Sequence, residues 1–493
     1  MLLLGLDIGT SSVKVSVMDA QSQQVIVSAS YPETENEIIS LQPGWAEQDP
    51  LMWWQQVQQA ILKANSLSKY IPQDIAAIGI SYQMHGLVCI DKNKNVLRNS
   101  IIWCDSRAVE KGNKAFDAIG HSKSLKHLLN SPGNFTASKL AWVKENEPDL
   151  FSKIDKVMLP GDYISMMLTG NSTTSISALS EGIFWDFVNN ELSKDVFGYY
   201  GFDTAIIPAI QNVFSEHGKL SKEIAAILSL KEGIPVTYKA GDQPNNALSL
   251  NVLEPGEVAA TAGTSGVIYG VSDQLTFDPL SRINSFAHVN YTAEQIRTGV
   301  LLCINGTGIL NRWIKNSTGN ISSYSEMNEA AAAIDTGSDG VMIFPFGNGA
   351  ERIFENKIPG AQICNLNLNR HGTAHLYRAA QEGITFAFRY GLDIMRENGM
   401  NPQIIRAGKA NMFLSNVFLN SFVNTLNVPV ELYNCDGSAG AAIGAGIGAG
   451  IYKNTKEGFT NFKPISIANP GQHVNQYNDL YEHWKQLLQK YIS

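Results

Sequence analysis

The sequence predicts an α/β protein built from two similar lobes that face each other across a central cleft. Strand-like apolar runs alternate with helical patterns along the chain, which is typical of sheets covered by helices. The hairpin LLLGLDIGTSSVKVSVMD is also echoed later as GEVAATAGTSGVIYGVSD. The two turns begin at Gly9 and Gly263, 254 positions apart in a chain of 493 residues. This spacing favours a duplicated fold, and chance recurrence of a Gly-Thr-Ser turn is the alternative.

The individual elements follow from local patterns. Residues 2–7 read as a buried strand, and 13–17 alternate as its hairpin partner. Asp49 and Pro50 begin a helix as N-cap and first-turn proline. The small residues of 437–450 predict a helix that packs closely against its neighbours. Further strands are predicted at 75–81, 87–90, 235–239 and 404–407, and further helices at 138–144, 162–168, 325–334, 375–397 and 416–426.

Composition excludes several classes of protein. Charged residues make up 17% and hydrophobic residues 44%, so the chain is not a disordered one. The net charge of −8 disfavours nonspecific binding to nucleic acid or anionic membranes. Five scattered cysteines without a C-x-x-C pair indicate a reducing compartment. The first apolar run stops at Asp7 with no basic segment before it, so we predict no signal peptide and a cytoplasmic location.

Both Gly-Thr-Ser turns are candidates for phosphate binding. Glycine lets backbone N–H groups approach an anion, and hydroxyl side chains add donors. One turn comprises Gly9, Thr10, Ser11 and Ser12, and the other comprises Gly263, Thr264 and Ser265. Asp7 directly precedes the first turn, where it could hold Mg²⁺. Ordinary hairpin turns are the alternative, and the chain has no G-x-x-x-x-G-K-[ST] motif.

A candidate general base lies in the segment AGDQPNNA. Asp242 follows a predicted strand and is expected in a glycine-flanked loop, with Gln243 beside it. A carboxylate in a cleft can accept the proton of a hydroxyl group during phosphoryl transfer. A turn-forming aspartate is the alternative interpretation.

Candidate contacts to a small polar substrate follow two strands. Met84 and His85 precede a glycine in SYQMHGLV, where an imidazole could bind hydroxyl groups and the thioether could pack on carbon atoms. Trp103 lies near Asp105 and Arg107, in a pattern that suits carbohydrate contact. A structural histidine and a structural ion pair are the alternatives. The segment RAGKANMFLS, with Gly408, could admit an adenine or ribose, and ordinary packing is again the alternative.

Taken together, these segments resemble the FGGY family of carbohydrate kinases, in the superfamily that also contains actin. The resemblance runs from Leu4 to about Gly450 and implies a two-lobed actin-like, ribonuclease H-like fold. It also implies that the protein uses ATP and Mg²⁺. Met84-His85-Gly86 with Trp103, Asp105 and Arg107 is most similar to the members that phosphorylate D-xylulose on its 5-hydroxyl. The matching segments are LGLDIGTSS, GWAEQDPLMWW, QMHG, IIWCDSR, TASKLAWVKENEP, AGDQPNNA, AGTSGV, FPFGNGAERIF and AHLYRAAQEGITFAFR.

The resemblance also implies roles for individual residues. Asp242 would be the catalytic base, and Asp7 would belong to the metal element. The substrate set would be Met84, His85, Trp103, Asp242 and Gln243, where Gln243 stands at a position that is Asn in many members. The nucleotide set would be Gly9, Thr10, Ser11, Ser12, Gly263, Thr264, Ser265, Gly408, Lys409 and Asn411.

The expected organisation has three segments. Residues 1–247 would bind the sugar and carry the base, 248–450 would bind the nucleotide, and 451–493 would form a tail that packs back on the first lobe. The expected partners are a small sugar and ATP, without nucleic acid or membrane, and a homodimer stays open because the family contains monomers and dimers. Three alternatives also stay open: a kinase for another pentulose, a polyol or gluconate; a sugar and ATP sensor without catalysis; and a chaperone- or filament-type ATPase.

Overall fold

Two mixed β-sheets, one in each lobe, form the framework of the computed structural model, which describes residues 1–319 and 323–492. The first sheet has the strand order β13-β14-β5-β1-β2-β3, and the second has the order β17-β18-β16-β15-β21-β22-β23. The strands are β1 Leu2–Ile8, β2 Val13–Asp19, β3 Val25–Tyr31, β4 Glu47–Gln48, β5 Ile75–Tyr82, β6 Val88–Ile90, β7 Ser100–Ile101, β8 Lys156–Met158, β9 Thr173–Thr174, β10 Trp185–Asp186, β11 Glu191–Leu192, β12 Ala209–Ile210, β13 Phe214–Lys219, β14 Pro235–Gly241, β15 Val258–Ala262, β16 Gly266–Ser272, β17 Asn284–Ala287, β18 Thr298–Ile304, β19 Met342–Phe346, β20 Gly360–Cys364, β21 Ile405–Gly408, β22 Val430–Tyr433 and β23 Ser466–Ala468.

Sixteen α-helices connect and cover these strands in the described part of the chain. They are α1 Pro50–Ser66, α2 Val109–Ile119, α3 His121–Leu128, α4 Thr136–Asn146, α5 Pro148–Phe151, α6 Pro160–Thr169, α7 Ile176–Glu181, α8 Lys194–Tyr200, α9 Lys222–Leu228, α10 Asp242–Ser249, α11 Gly308–Thr318, α12 Tyr324–Ala332, α13 Thr373–Glu397, α14 Asn416–Leu426, α15 Gly437–Gly448 and α16 Val474–Ile492. None of them combines the length and hydrophobicity needed to cross a bilayer.

The two sheets repeat one plan. In the first, β1 pairs antiparallel with β2 and β2 with β3, while β1, β5 and β14 run parallel. In the second, β15 pairs antiparallel with β16 and β16 with β18, while β15, β21 and β22 run parallel. The carboxyl ends of the parallel strands meet at one edge of each sheet, where ligands of α/β proteins commonly bind. The predicted duplicated α/β fold is confirmed by this topology.

The helix α15 shows why the sequence concentrates small residues at 437–448. It belongs to the second half of the chain but packs on the first sheet, over β1, β5 and β14. A Cβ atom at Gly5 would lie 1.8 Å from the carbonyl oxygen of Ser438, and one at Gly79 would lie 2.0 Å from that of Ala441. Helix and sheet backbones therefore touch directly, which only glycine permits.

The C-terminal tail, residues 451–493, contacts both lobes. Near its start, the Tyr452 hydroxyl donates to the Ala20 carbonyl in the first lobe. The terminal helix α16, however, buries Tyr477 and Trp484 in the hydrophobic core of the second lobe. Residues 451–493 therefore contact both lobes, and the apolar stripe of α16 completes the core around α13 and α14.

Candidate active site

The main cavity, of about 540 Å³, lies between the two lobes and draws its walls from both. It brings together seven residues predicted from the sequence, which are Thr10, Met84, His85, Trp103, Asp242, Gln243 and Ser265. The remaining walls come from Asn134, Phe135, Val267, Asn284, Leu301, Cys303, Asn305, Ala350, Arg352 and Asn356. A sulfur atom and aromatic rings beside amides and a carboxylate form a surface that suits a polyhydroxylated carbon chain.

Asp242 stands at the carboxyl end of a central parallel strand. The strand β14 ends at Gly241 and helix α10 begins at Asp242, so the residue starts a helix instead of lying in the predicted loop. Glu181 and Met84 pack closely against Gly241, since a Cβ atom at this glycine would lie 2.6 Å from Oε2 of Glu181 and from Cγ of Met84. Burial, reinforced by the nearby charge of Asp7, raises the pKa of Asp242 to about 7. A carboxylate with this pKa can accept a proton near neutral pH.

His85 is held from three sides. Its backbone adopts a left-handed φ of 61°, and its carbonyl oxygen accepts a 2.8 Å hydrogen bond from Nζ of the buried Lys139. The ring packs edge-on against Phe135 with centroids 4.9 Å apart. Burial, with the positive charge of Lys139, lowers the pKa of His85 to about 3, so the imidazole is neutral. Nδ1 lies 3.0 Å from the carbonyl oxygen of Glu181 and must donate to it, which leaves Nε2 as an acceptor for a hydroxyl group.

A chain of hydrogen bonds ties the substrate wall to the first turn. Nε1 of Trp103 donates to Oγ1 of Thr10 at 3.0 Å. The Thr10 hydroxyl in turn donates to Oε1 of Gln83 at 3.0 Å, and Nε2 of Gln83 donates to Gln48 at 3.0 Å. Trp103 is 52% exposed, so its ring stays available in the cleft.

Asp105 and Arg107 do not line the cavity. They form a buried ion pair, with 2.7 Å between Arg107 Nη2 and Asp105 Oδ2, and Arg107 also binds Glu47 at 2.7 Å. The guanidinium group lies 3.8 Å from the ring centroid of Trp45. Their role is to hold the segment that carries Trp103, which agrees with the structural alternative for this pair.

The second turn lies between two cavities. Gly263 and Thr264, with Asn411, line a second cavity of about 320 Å³, whereas Ser265 lines the main one. The start of α11 fixes this turn, because the Gly308 N–H donates to the Gly263 carbonyl at 2.9 Å. The other walls of the second cavity are Ala262, Gly308, Asn311, Arg312, Tyr324, Asn328, Met412, Leu414 and Ser415. Six predicted residues line neither cavity, which are Asp7, Gly9, Ser11, Ser12, Gly408 and Lys409.

Asp7 lies at the end of β1, beside the N-terminus of α15. A Cβ atom at Gly437 would lie 2.4 Å from Oδ2 of Asp7. Burial raises the pKa of Asp7, and Asp436 raises it further. In the described residues no three His, Cys, Asp or Glu side chains converge on a possible metal position. One or two carboxylates completed by phosphate oxygens and water are the usual protein contribution to Mg²⁺, so Asp7 fits such an ion bound together with a nucleotide.

Several groups near the site have no role that a local sequence pattern predicts. Lys139 lies within the matching segment TASKLAWVKENEP and Arg352 within FPFGNGAERIF, but neither segment by itself indicates what the residue does. Glu181 had no signal in the sequence, because its importance depends on β14 and α7 meeting in space. Asn134 and Phe135 come directly before α4, and no local pattern predicts their place on the cavity wall.

Comparison with known proteins identifies the family to which the chain belongs. The N-terminal domain model of the FGGY family of carbohydrate kinases matches residues 2–249, and its C-terminal domain model matches residues 258–451. The chain therefore belongs to the FGGY family and is a carbohydrate kinase, as the resemblance predicted.

Individual similar proteins include kinases for particular sugars. The chain is 30% identical over 412 residues to the xylulose kinase of Haemophilus influenzae, which covers 82% of this chain and 81% of the relative. Two structures from Lactobacillus acidophilus, a ligand-bound xylulose kinase and a gluconate kinase, both match with a TM-score of 0.90. The first is 21% identical, covering 99% of this chain and 98% of the other, and the second is 20% identical, covering 100% and 98%. The fold alone therefore does not distinguish sugar substrates.

Proposed function

We propose that the protein transfers the γ-phosphoryl group of ATP to the 5-hydroxyl group of D-xylulose, with Asp242 as the general base. The observation that carries this proposal is the main cavity, where Asp242 lies with Met84, His85 and Trp103 from one lobe and Ser265 from the other. A sugar and a phosphate chain can meet at the carboxylate only in such a shared space.

The first-lobe wall of the main cavity supports the proposed binding of the sugar. The neutral His85 offers Nε2 as an acceptor, and Gln243 offers an amide with both donors and acceptors. Met84 supplies an apolar contact and is 4% exposed. These groups can bind hydroxyls and a carbon skeleton without requiring a charge on the substrate.

The second Gly-Thr-Ser turn supports the proposed binding of ATP. Because Gly263 and Thr264 face one cavity and Ser265 the other, a triphosphate that crosses this turn would connect the two. The adenosine would then occupy the second cavity, beside Asn411, and the γ-phosphoryl group would reach the cavity that holds Asp242.

In the proposed reaction, Asp242 accepts the proton of the sugar hydroxyl as the oxygen–phosphorus bond forms, and ADP leaves with the bridging oxygen. The base contributes about 10²–10⁴-fold, and positioning and charge stabilisation supply most of the remainder. A bound Mg²⁺, held with Asp7, would offset the negative charge of the phosphate oxygens. Closure of the lobes would exclude water and limit ATP hydrolysis.

We choose D-xylulose as the substrate because the similar proteins named above include xylulose kinases, and because the uncharged first-lobe groups Met84, His85 and Gln243 suit an uncharged sugar. A panel of acceptors at fixed MgATP, followed by a coupled ADP assay, tests this choice. The panel contains D-xylulose, other pentuloses, xylitol, glycerol and D-gluconate. We expect D-xylulose to give the highest kcat/KM. A higher value for any other acceptor would assign the protein to that substrate, and sugar binding without ADP release would indicate a sensor.

A further inference from the structure

Arg352 is the only lysine or arginine among the residues that line the main cavity in the described part of the chain. Burial lowers the pKa of its guanidinium group, which nevertheless stays charged at any physiological pH. The guanidinium group donates a long hydrogen bond, 3.4 Å from Nη1 to the carbonyl oxygen of Ser281. In residues 1–319 and 323–492, no carboxylate lies within ion-pair distance of it. Arg352 is half-buried, and a cation that is partly withdrawn from water without a counter-ion gains by pairing with an anion.

The backbone that carries Arg352 is fixed by its neighbours. The adjacent Glu351 is fully buried, and its carboxylate accepts hydrogen bonds from the N–H groups of Asn305 at 3.0 Å and Gly306 at 3.1 Å. On the other side, Ile353 and Phe354 are buried in the second-lobe core. Glu351 is therefore satisfied elsewhere and leaves Arg352 unneutralised, while the turn holds the arginine at the cavity wall.

Arg352 faces the reacting groups from the opposite lobe. Its charge acts on the His85 imidazole. The charges of Arg352 and Asp242 both act on the thiol of Cys303, and all three residues line the same cavity. Thr10 and Ser265, at the two turns, line the same cavity. Arg352 therefore lines the cavity in which a phosphoryl group between the two turns and Asp242 would lie.

We propose that Arg352 is a catalytic residue that binds the oxygens of the γ-phosphoryl group during its transfer, an inference that rests on the proposed kinase function. A planar guanidinium matches phosphate oxygens with two parallel hydrogen bonds. Charge on a transferring phosphoryl group is spread over its three equatorial oxygens, where fixed donors are most effective. Arg352 exchanges no atoms: the bond to the ADP oxygen breaks, the bond to the sugar oxygen forms, and the proton goes to Asp242.

The test compares Arg352→Gln and Arg352→Lys with the wild type and a matched control, Arg370→Gln. Arg370 is a second-lobe arginine whose side chain is 64% exposed and pairs with Asp339. Calorimetry with Mg²⁺ and D-xylulose present gives Kd values for β,γ-methylene ATP and for ADP. We expect Arg352→Gln to raise the Kd for the ATP analogue at least tenfold and the Kd for ADP less than twofold. The kcat should fall about 10²–10³-fold, with a smaller loss in Arg352→Lys and none in the control.

Chemical rescue separates this role from a structural one. Guanidinium ion at millimolar concentration should restore part of the turnover of a folded Arg352→Ala variant, since it replaces the missing donor. Equal weakening of ADP and the ATP analogue, or no change in either, would overturn the proposal. A loss of turnover in the Arg352 variants that is confined to D-gluconate as acceptor would also overturn the proposal, because Arg352 would then bind a substrate carboxylate. If the wild type releases no ADP with any sugar, the proposed function fails instead, and the two binding constants still test Arg352.

Discussion

Replacing Asp242 with Asn should make the free protein more stable while it removes the base. The carboxyl group has a pKa of about 7 in the fold, against an ordinary value of 3.8. The fold therefore favours the neutral form. In the wild type, the favourable contribution of this group to the free energy of unfolding is fully present below about pH 4. That contribution is lost as the pH rises to about 7. Asn resembles the neutral carboxyl, so Asp242→Asn should recover what the wild type loses above pH 7.

The magnitude follows from the difference in pKa. A difference of about three pH units corresponds to about 4 kcal/mol. This is a ceiling, because Asp242 opens on the cavity and water screens its charge; we expect about 1–3 kcal/mol. For a lobe of this size each kcal/mol raises the Tm by about 2–4 °C.

The assay is thermal unfolding of both proteins from pH 4 to pH 8.5, without ligands. We expect equal Tm values near pH 4 and a higher Tm for Asp242→Asn above pH 7. The kcat/KM of the wild type should also rise with pH through about 7, as the carboxyl group ionises. A Tm difference that does not vary with pH, or a variant that is less stable at pH 8, would refute the reasoning.

Three further predictions address other parts of the site. Lys139→Met removes the donor to the His85 carbonyl, so we expect the KM for the sugar to rise about tenfold while the KM for ATP is unchanged; a parallel rise in both would contradict a local effect. Gly308→Ala places a Cβ atom 2.3 Å from the Gly263 carbonyl oxygen, so calorimetry should show at least tenfold weaker ATP-analogue binding with sugar binding intact. Chelation with EDTA should abolish turnover, and Asp7→Asn should require more Mg²⁺ for half-maximal activity; equal requirements would remove Asp7 from that role.

Much of the framework follows from local sequence pattern. The two hairpin strands form where they are expected, Asp49 caps α1 with Pro50 in its first turn, and helix α14 has the predicted bounds of 416–426. These elements depend on interactions between residues close in sequence. The packing of α15 on the first sheet instead depends on Gly5 and Gly79, which lie more than 350 positions away. No local pattern identifies that contact.

The same distinction applies to the site. Motifs led to Asp242, His85 and Met84, because a small number of adjacent residues carries their signal. Arg352 and Glu181 reach the site only through tertiary structure, Arg352 from the second lobe and Glu181 from α7. Gly408 and Lys409 were expected at the nucleotide but line neither cavity, because the Lys409 N–H donates to the Tyr433 carbonyl and ties that segment to β22.

The most direct test of the central claim is the rate of ADP release by wild type and Asp242→Asn, measured side by side with and without D-xylulose at saturating MgATP. We predict sugar-dependent release by the wild type. A folded variant that still binds both ligands should be at least 100-fold slower. Near-normal turnover in the variant, or ADP release by the wild type that does not depend on any sugar, would contradict the account.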